Sequence, residues 1–178
     1  RRYDEAISID PASPLAWGGK GLSLYDGGRL SEAVEAYDTA LSLDPQDPYV
    51  WNNKGVALFM MGSPDEAIEC YDRALEADPG NLEALRNRAF VLRAMKRFEE
   101  ALEAYEKIVY DEPEALDFRN LATVLVGMGL LEEALGALME AANIEPSIEV
   151  EREIEALRRA IMEISIRAQF GDGRPSGG

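Results

Sequence analysis

Residues 15–28 read LAWGGKGLSLYDGG, and three glycines around Lys20 are the kind of stretch that can cradle a phosphate. That chemistry needs a glycine-rich turn, then Lys followed by Ser or Thr at a helix start, so that backbone N–H groups and a hydroxyl meet phosphate and magnesium. Gly21 follows Lys20, so the hydroxyl is missing and the spacing fails. The lone thiol, Cys70, stands beside Glu69 in a chain without a histidine to serve as its base, which argues for a packed side chain over a nucleophile. Without histidine the usual zinc spacings cannot be assembled either. Carboxylates are abundant, but acid–base work needs a pair held in a pocket with divergent pKa values. The acidic runs Asp65, Glu66, Glu69, Asp72 and Glu99, Glu100, Glu103, Glu106 sit in helical columns suited to solvent. The expectation is a chain with no catalytic residue, no metal and no cofactor.

What must position these residues is a repeat. Residues 49–63, YVWNNKGVALFMMGS, keep Trp51, Lys54, Gly55, Leu58 and Gly62 at an offset of 34 from Trp17, Lys20, Gly21, Leu24 and Gly28. A stretch with a unique chemical task has no reason to recur, so these glycines belong to helices. Pro11, Pro45, Pro79, Pro113 and Pro146 mark the period, with spacings of 34, 34, 34 and 33. In each unit a large residue (Trp17, Trp51, Leu85, Phe118) precedes a small one by four positions (Gly21, Gly55, Ala89, Ala122), with Leu24, Leu58, Leu92 or Leu125 three further on. This is one helical face; Ala33, Ala67, Ala101, Ala134, then Tyr37, Tyr71, Tyr105, Leu138, form a second. Small residues let antiparallel helices approach, and the neighbouring ring fills the groove. Ser13, Asp47 and Asn81 are placed to cap first helices, Pro14 and Pro48 suit the first helical position, and Ser63-Pro64-x-Glu66 reads as a capping box. The junction from Pro113 to Phe118 is one residue short and offers no comparable cap, which predicts a slightly irregular fourth unit.

The pattern W-x-x-x-G-x-x-L, a glycine turn, A-x-x-x-Y-x-x-A and a proline resembles the tetratricopeptide repeat. The resemblance implies an all-α fold: a right-handed superhelical solenoid of antiparallel helix pairs in which first helices line a concave groove. The expected organisation is a tail helix of a preceding partial repeat over 1–13, repeats over 14–47, 48–81, 82–114 and 115–147, a capping helix over 148–169 and a disordered tail over 170–178. Val150, Ile154, Leu157, Ile161, Ile164 and Ala168 carry the apolar stripe of that last helix.

By the family's groove-facing columns, the lining comprises Leu22, Tyr25, Tyr49, Asn52, Asn53, Val56, Phe59, Met60, Arg86, Asn87, Phe90, Arg93, Arg119, Asn120 and Thr123. Asn53, Asn87 and Asn120 share one column; either they bond the backbone of an extended peptide or they simply meet water. Gly18 and Gly19 interrupt that column, either opening room near Leu22 and Tyr25 for a bulky ligand group or marking a tolerated weak spot. The two-Lys, two-Asn, one-Arg clamp that one subset of the family uses for carboxylate termini is absent: Gly18, Leu22 and Glu83 stand where Lys, Asn and Lys are required. Arg86, Arg93 and Arg119 could still favour an acidic or carboxylate-bearing peptide. First helices carry Lys20, Lys54, Arg86, Arg88, Arg93, Lys96 and Arg119 against Asp26, Glu83 and Asp117, so groove and outer skin are expected to differ in sign.

The formal charge of −16 opposes binding to nucleic acid or to anionic lipid. No run approaches the 18 apolar residues of a membrane span, and a single cysteine fits a reducing cytoplasm. Two functions remain: a scaffold that binds a protein or peptide in the groove, or a structural fragment that stacks or dimerises through its N-terminal half-repeat.

Overall fold

The computed structural model describes residues 2–111 and 113–170, and among these every regular element is an α-helix. Two compact units are present, Arg1–Arg97 and Phe98–Gly178. The first holds α1 (Arg2–Ile9), α2 (Pro14–Asp26), α3 (Leu30–Leu43), α4 (Pro48–Met60), α5 (Pro64–Ala77) and α6 (Leu82–Ala94). The second holds α7 (Phe98–Asp111), α8 (Ala115–Met128), α9 (Leu131–Ile144) and α10 (Ile148–Phe170). The tail expected beyond Phe170 lies outside the described residues.

Helices pair in chain order: α2 packs on α3 and α4 on α5, with α3 on α4 and α5 on α6 joining successive pairs. The ring-in-hole packing is visible in detail. A Cβ added at Gly21 would stand 2.5 Å from the Tyr37 ring, and one at Gly55 would stand 2.6 Å from Tyr71. Both tyrosines are fully buried beside Ala33, Ala40, Ala67 and Ala74. Glycine is required there because the ring occupies the volume of any side chain. Trp17 and Trp51 have like surroundings: each indole Nε1–H donates to the carbonyl of Pro11 or Pro45 at 2.9 Å, and Lys20 or Lys54 lies over its ring at 5.2 or 5.4 Å.

First helices start where the sequence supplies caps. Ser13 accepts from the Ala16 N–H at 3.3 Å, Asp47 from Tyr49 and Val50 at 2.9 and 3.0 Å, and Asn81 from Ala84 at 3.0 Å. Ser63 differs from expectation, since its side chain makes no cap bond and Pro64 alone sets the helix start. The fourth unit is capped after all. Asp117, buried in the first turn of α8, accepts the Glu114 N–H at 2.9 Å, a bond made backwards from inside the helix. These helices end in turns closed by a six-to-one bond, such as Arg29 N–H to Leu24 O and Arg97 N–H to Leu92 O, both 2.9 Å. Their left-handed residues are Gly28, Gly62, Gly129 and, in the third unit, Lys96 at φ 60°.

In the second unit α8 packs on α7 and α9, and α10 packs on α9. Val150, Ile154 and Leu157 are buried, Ile161 is half-buried and Ile164 is exposed, so the stripe of α10 is covered over its first half. No described helix is long and apolar enough to cross a membrane.

Candidate interaction face

In the first unit, α4 touches both α2 and α6. The repeat period therefore lays out two columns across three neighbouring helices: Leu22, Val56, Phe90 and Tyr25, Phe59, Arg93. Phe59 meets Phe90 edge to face with ring centroids 5.8 Å apart, and the Arg93 guanidinium lies 5.1 Å from the centre of the Phe90 ring. Leu22 and Phe90 are exposed, as are Met60 and Tyr49 at 61% and 67%, so this face presents apolar side chains to solvent. Tyr25 is half-buried against the core around Leu24 and Tyr37.

The asparagines are organised differently from an open ladder. Asn52 is 1% exposed, and both ends of its amide are occupied. Its Nδ2 donates to Glu83 Oε1 at 3.1 Å, and its Oδ1 accepts from Asn87 Nδ2 at 2.9 Å. Asn52 is thus a buried tie between α4 and α6, and Asn87 spends a donor on it; Asn53 is half-buried. A buried amide left without such partners would cost about 1–3 kcal/mol.

The glycine pair opens no room for a ligand. A Cβ at Gly19 would lie 2.2 Å from the Tyr3 ring of α1, and one at Gly18 would lie 3.1 Å from Val50. The chain itself fills the space, and the position equivalent to Val50 in the next repeat is Ala84, which leaves Asn52 its place.

The division of charge also needs correction. Lys20 pairs with Asp4 at 3.0 Å, Lys54 with Asp38 at 2.6 Å and Arg88 with Asp72 at 2.6 Å, each cation bonding an acid 16 residues earlier on the preceding second helix. These first-helix cations tie repeats together and do not charge the face. The equivalent place in the fourth unit is apolar, at Leu121 and Ala122, and carries no such pair.

Arg119, Asn120 and Thr123 belong to the second unit, where they line a cleft of about 540 Å³ between α8 and α10. Its apolar walls are Leu116, Val126, Leu157, Ala156 and Ala160. Arg119 is committed to α10: it reaches Glu153 Oε1 at 2.6 Å and Glu149 at 3.9 Å, and the bond to Glu153 raises its pKa. Reasoning by columns missed Leu15 and Leu116, exposed at 83% and 58%. They share the column of Tyr49 and Glu83 two positions before the large residue of each repeat, a signal present in the sequence. Arg86 is half-buried on α6.

Burial favours the neutral forms of the thiol and of two phenols. Burial pushes the Cys70 thiol up to about 11, and Cys70 is 4% exposed. Burial likewise pushes the Tyr37 phenol up to about 12 and raises Tyr71. Among the described residues no group of His, Cys, Asp or Glu is placed to hold a metal ion.

Repeat-family models match this chain in overlapping stretches: a TPR repeat model over residues 21–62, and tetratricopeptide repeat models over 48–81 and 70–103. No curated protein sequence matches it significantly. Among solved structures, YrrB, described as a TPR protein with an unusual peptide-binding site, is similar at a TM-score of 0.80 and 18% identity, over 91% of this chain and 84% of that one. A crystal structure of MamA is similar at 0.75 and 24% identity, over 80% and 79%. The 41-to-end segment of MamA from Desulfovibrio magneticus RS-1 is similar at 0.74 and 19%, over 90% and 97%. At these identities the likeness is one of fold.

Proposed function

Because this chain belongs to the tetratricopeptide repeat family, we propose that it is a non-catalytic scaffold that holds a peptide segment of a partner protein on the face of its first helices. One observation carries the reading: Leu22, Met60 and Phe90 stand exposed on adjacent helices of an acidic chain, with Phe59 edge-on to Phe90 and Tyr49 exposed at the start of α4. Apolar groups aligned across neighbouring helices form the surface that an extended or helical segment can cover with its own side chains. The peptide-binding site named for YrrB supports the same use of the fold. The buried, high-pKa thiol and the ion pairs between neighbouring helices support the non-catalytic part of the reading. In the second unit the α8–α10 cleft, with Asn120 and Thr123, is the equivalent surface of the fourth repeat. We assign repeats to 14–47, 48–81, 82–114 and 115–147, and a single buried thiol suits a cytoplasmic setting.

The test is direct. Peptides selected from a random display library against the whole chain should bind it, and replacing Leu22, Met60 and Phe90 together by Ser should abolish binding while the far-ultraviolet dichroism stays intact. Undiminished binding by that variant refutes the assignment.

Self-association through α1 is the second reading. It is favoured by Ile9 and Tyr3, exposed at 86% and 40% on a helix that buries none of its side chains. A monomer at micromolar concentration in light scattering rejects it.

A further inference from the structure

We propose that the corner formed by Phe59, Phe90 and Arg93 is a subsite for a carboxylate carried on an apolar segment, so that the partner's binding stretch ends on an acidic group. The inference rests on the scaffold reading and adds the chemistry of what that face selects.

Arg93 is a cation that makes no ion pair among the described residues. In a chain of formal charge −16, acids have absorbed the neighbouring basic groups: Lys20 by Asp4, Lys54 by Asp38, Arg88 by Asp72 and Arg97 by Asp65, at 3.0, 2.6, 2.6 and 3.8 Å. Among the described residues Arg93 has no carboxylate partner, and the contact it does make is to the Phe90 ring at 5.1 Å. Its Nε is covered and takes no acceptor from the protein. The terminal nitrogens therefore remain as donors, held in place by the ring beneath them. A guanidinium stacked on an aromatic face is weakly hydrated and pre-ordered, and its paired N–H groups match the two oxygens of a carboxylate.

The surroundings set the rest of the ligand. The other five members of the two columns, Leu22, Tyr25, Val56, Phe59 and Phe90, offer carbon and one phenol. Neighbouring helices lie about 10 Å apart, and an extended segment in the polyproline II form advances about 3.1 Å per residue and returns a side chain to the same face every third residue. Such a segment therefore meets a new helix roughly every third residue, with apolar side chains over α2 and α4 and the carboxylate over α6. The acidic outer helices do not veto an acidic ligand. Their field is screened beyond about 8 Å at physiological salt, whereas the Arg93 contact is made at bonding distance.

The probes are fluorescein-labelled nine-residue peptides with Leu at position 1, Phe at position 4 and either Asp or Asn at position 7, together with their reversed sequences. The whole chain should bind the Asp peptide about tenfold more tightly than the Asn peptide in one of the two directions, as a charge-assisted pair should. The preference should shrink with added salt, disappear in Arg93→Gln, survive in part in Arg93→Lys and persist in Lys96→Gln. Equal binding of the Asp and Asn peptides, with both weakened by Phe90→Ser, overturns the carboxylate subsite and leaves the scaffold reading standing. Absence of binding by every peptide overturns both. Because the preference is read on the unmodified protein, a variant that fails to fold does not rescue the proposal.

Discussion

Lys96 occupies a place that its three counterparts give to glycine. Gly28, Gly62 and Gly129 turn the chain between consecutive helices at φ 72°, 85° and 80°, and Lys96 does so at 60°. The turn is otherwise the same, with the Lys96 N–H on Arg93 O at 3.0 Å and the Arg97 N–H on Leu92 O at 2.9 Å. A side chain in this left-handed region costs about 1–2 kcal/mol through the clash of Cβ with the following carbonyl. Glycine relieves that clash but gives back about 0.5–1 kcal/mol because its unfolded chain is freer. The Lys96 side chain is exposed and joins no ion pair among the described residues, so its removal loses little. Lys96→Gly should therefore stabilise the protein by about 0.5–1 kcal/mol, a rise of roughly 2–4 °C for each kcal/mol at this chain length. Urea unfolding followed by helical dichroism reads the change. Gly62→Lys should cost a similar amount, and Lys96→Ala, which keeps the Cβ, should gain nothing. A Lys96→Gly variant no more stable than the parent, or a Gly62→Lys variant without cost, refutes the reasoning.

Three further outcomes are expected. Asn52→Ala should cost about 1–3 kcal/mol in urea unfolding, because it removes two hydrogen bonds between α4 and α6; the Asn52→Ala, Asn87→Ala double variant should cost less than the sum of the singles. Gly19→Asn should push the Tyr3 ring away and release α1, seen as faster amide exchange over Arg2–Ile9 with the rest of the first unit unchanged. Cys70 should resist alkylation: with its pKa pushed to about 11 from an ordinary 9.0, its thiolate fraction at pH 8 is lower by about a hundredfold, and access lowers the rate further. The same shift makes stability fall as pH rises from about 9 to 11, since the unfolded thiol ionises first; Cys70→Ala should remove the fall between about 9 and 10, above which the buried phenols of Tyr37 and Tyr71 add their own.

What the sequence disclosed was whatever the period repeats. The tryptophan, glycine and tyrosine columns packed as their spacing requires, because a ring and a hole that recur every 34 residues have one way to meet. Ser13, Asp47 and Asn81 capped their helices because a side chain just before a helix start has few other donors within reach. What stayed hidden depends on pairs that no column displays. Asn52 and Asn87 are 35 residues apart, one more than the period, so their bond crosses columns. Gly19 looks vacant until Tyr3 is seen against it. The cations of the first helices look like groove charge until Asp4, Asp38 and Asp72 are found beside them, on helices whose acids look merely solvated. Asp117 was legible as an acid but not as a cap, because it acts from within its own first turn.

The measurement that reaches furthest is a map of amide shifts by nuclear magnetic resonance as a display-selected peptide is titrated into the labelled chain. The account expects the perturbed amides to gather on α2, α4 and α6 around Leu22, Met60, Phe90 and Arg93. Perturbations confined to the outer helices α3 and α5 would contradict it.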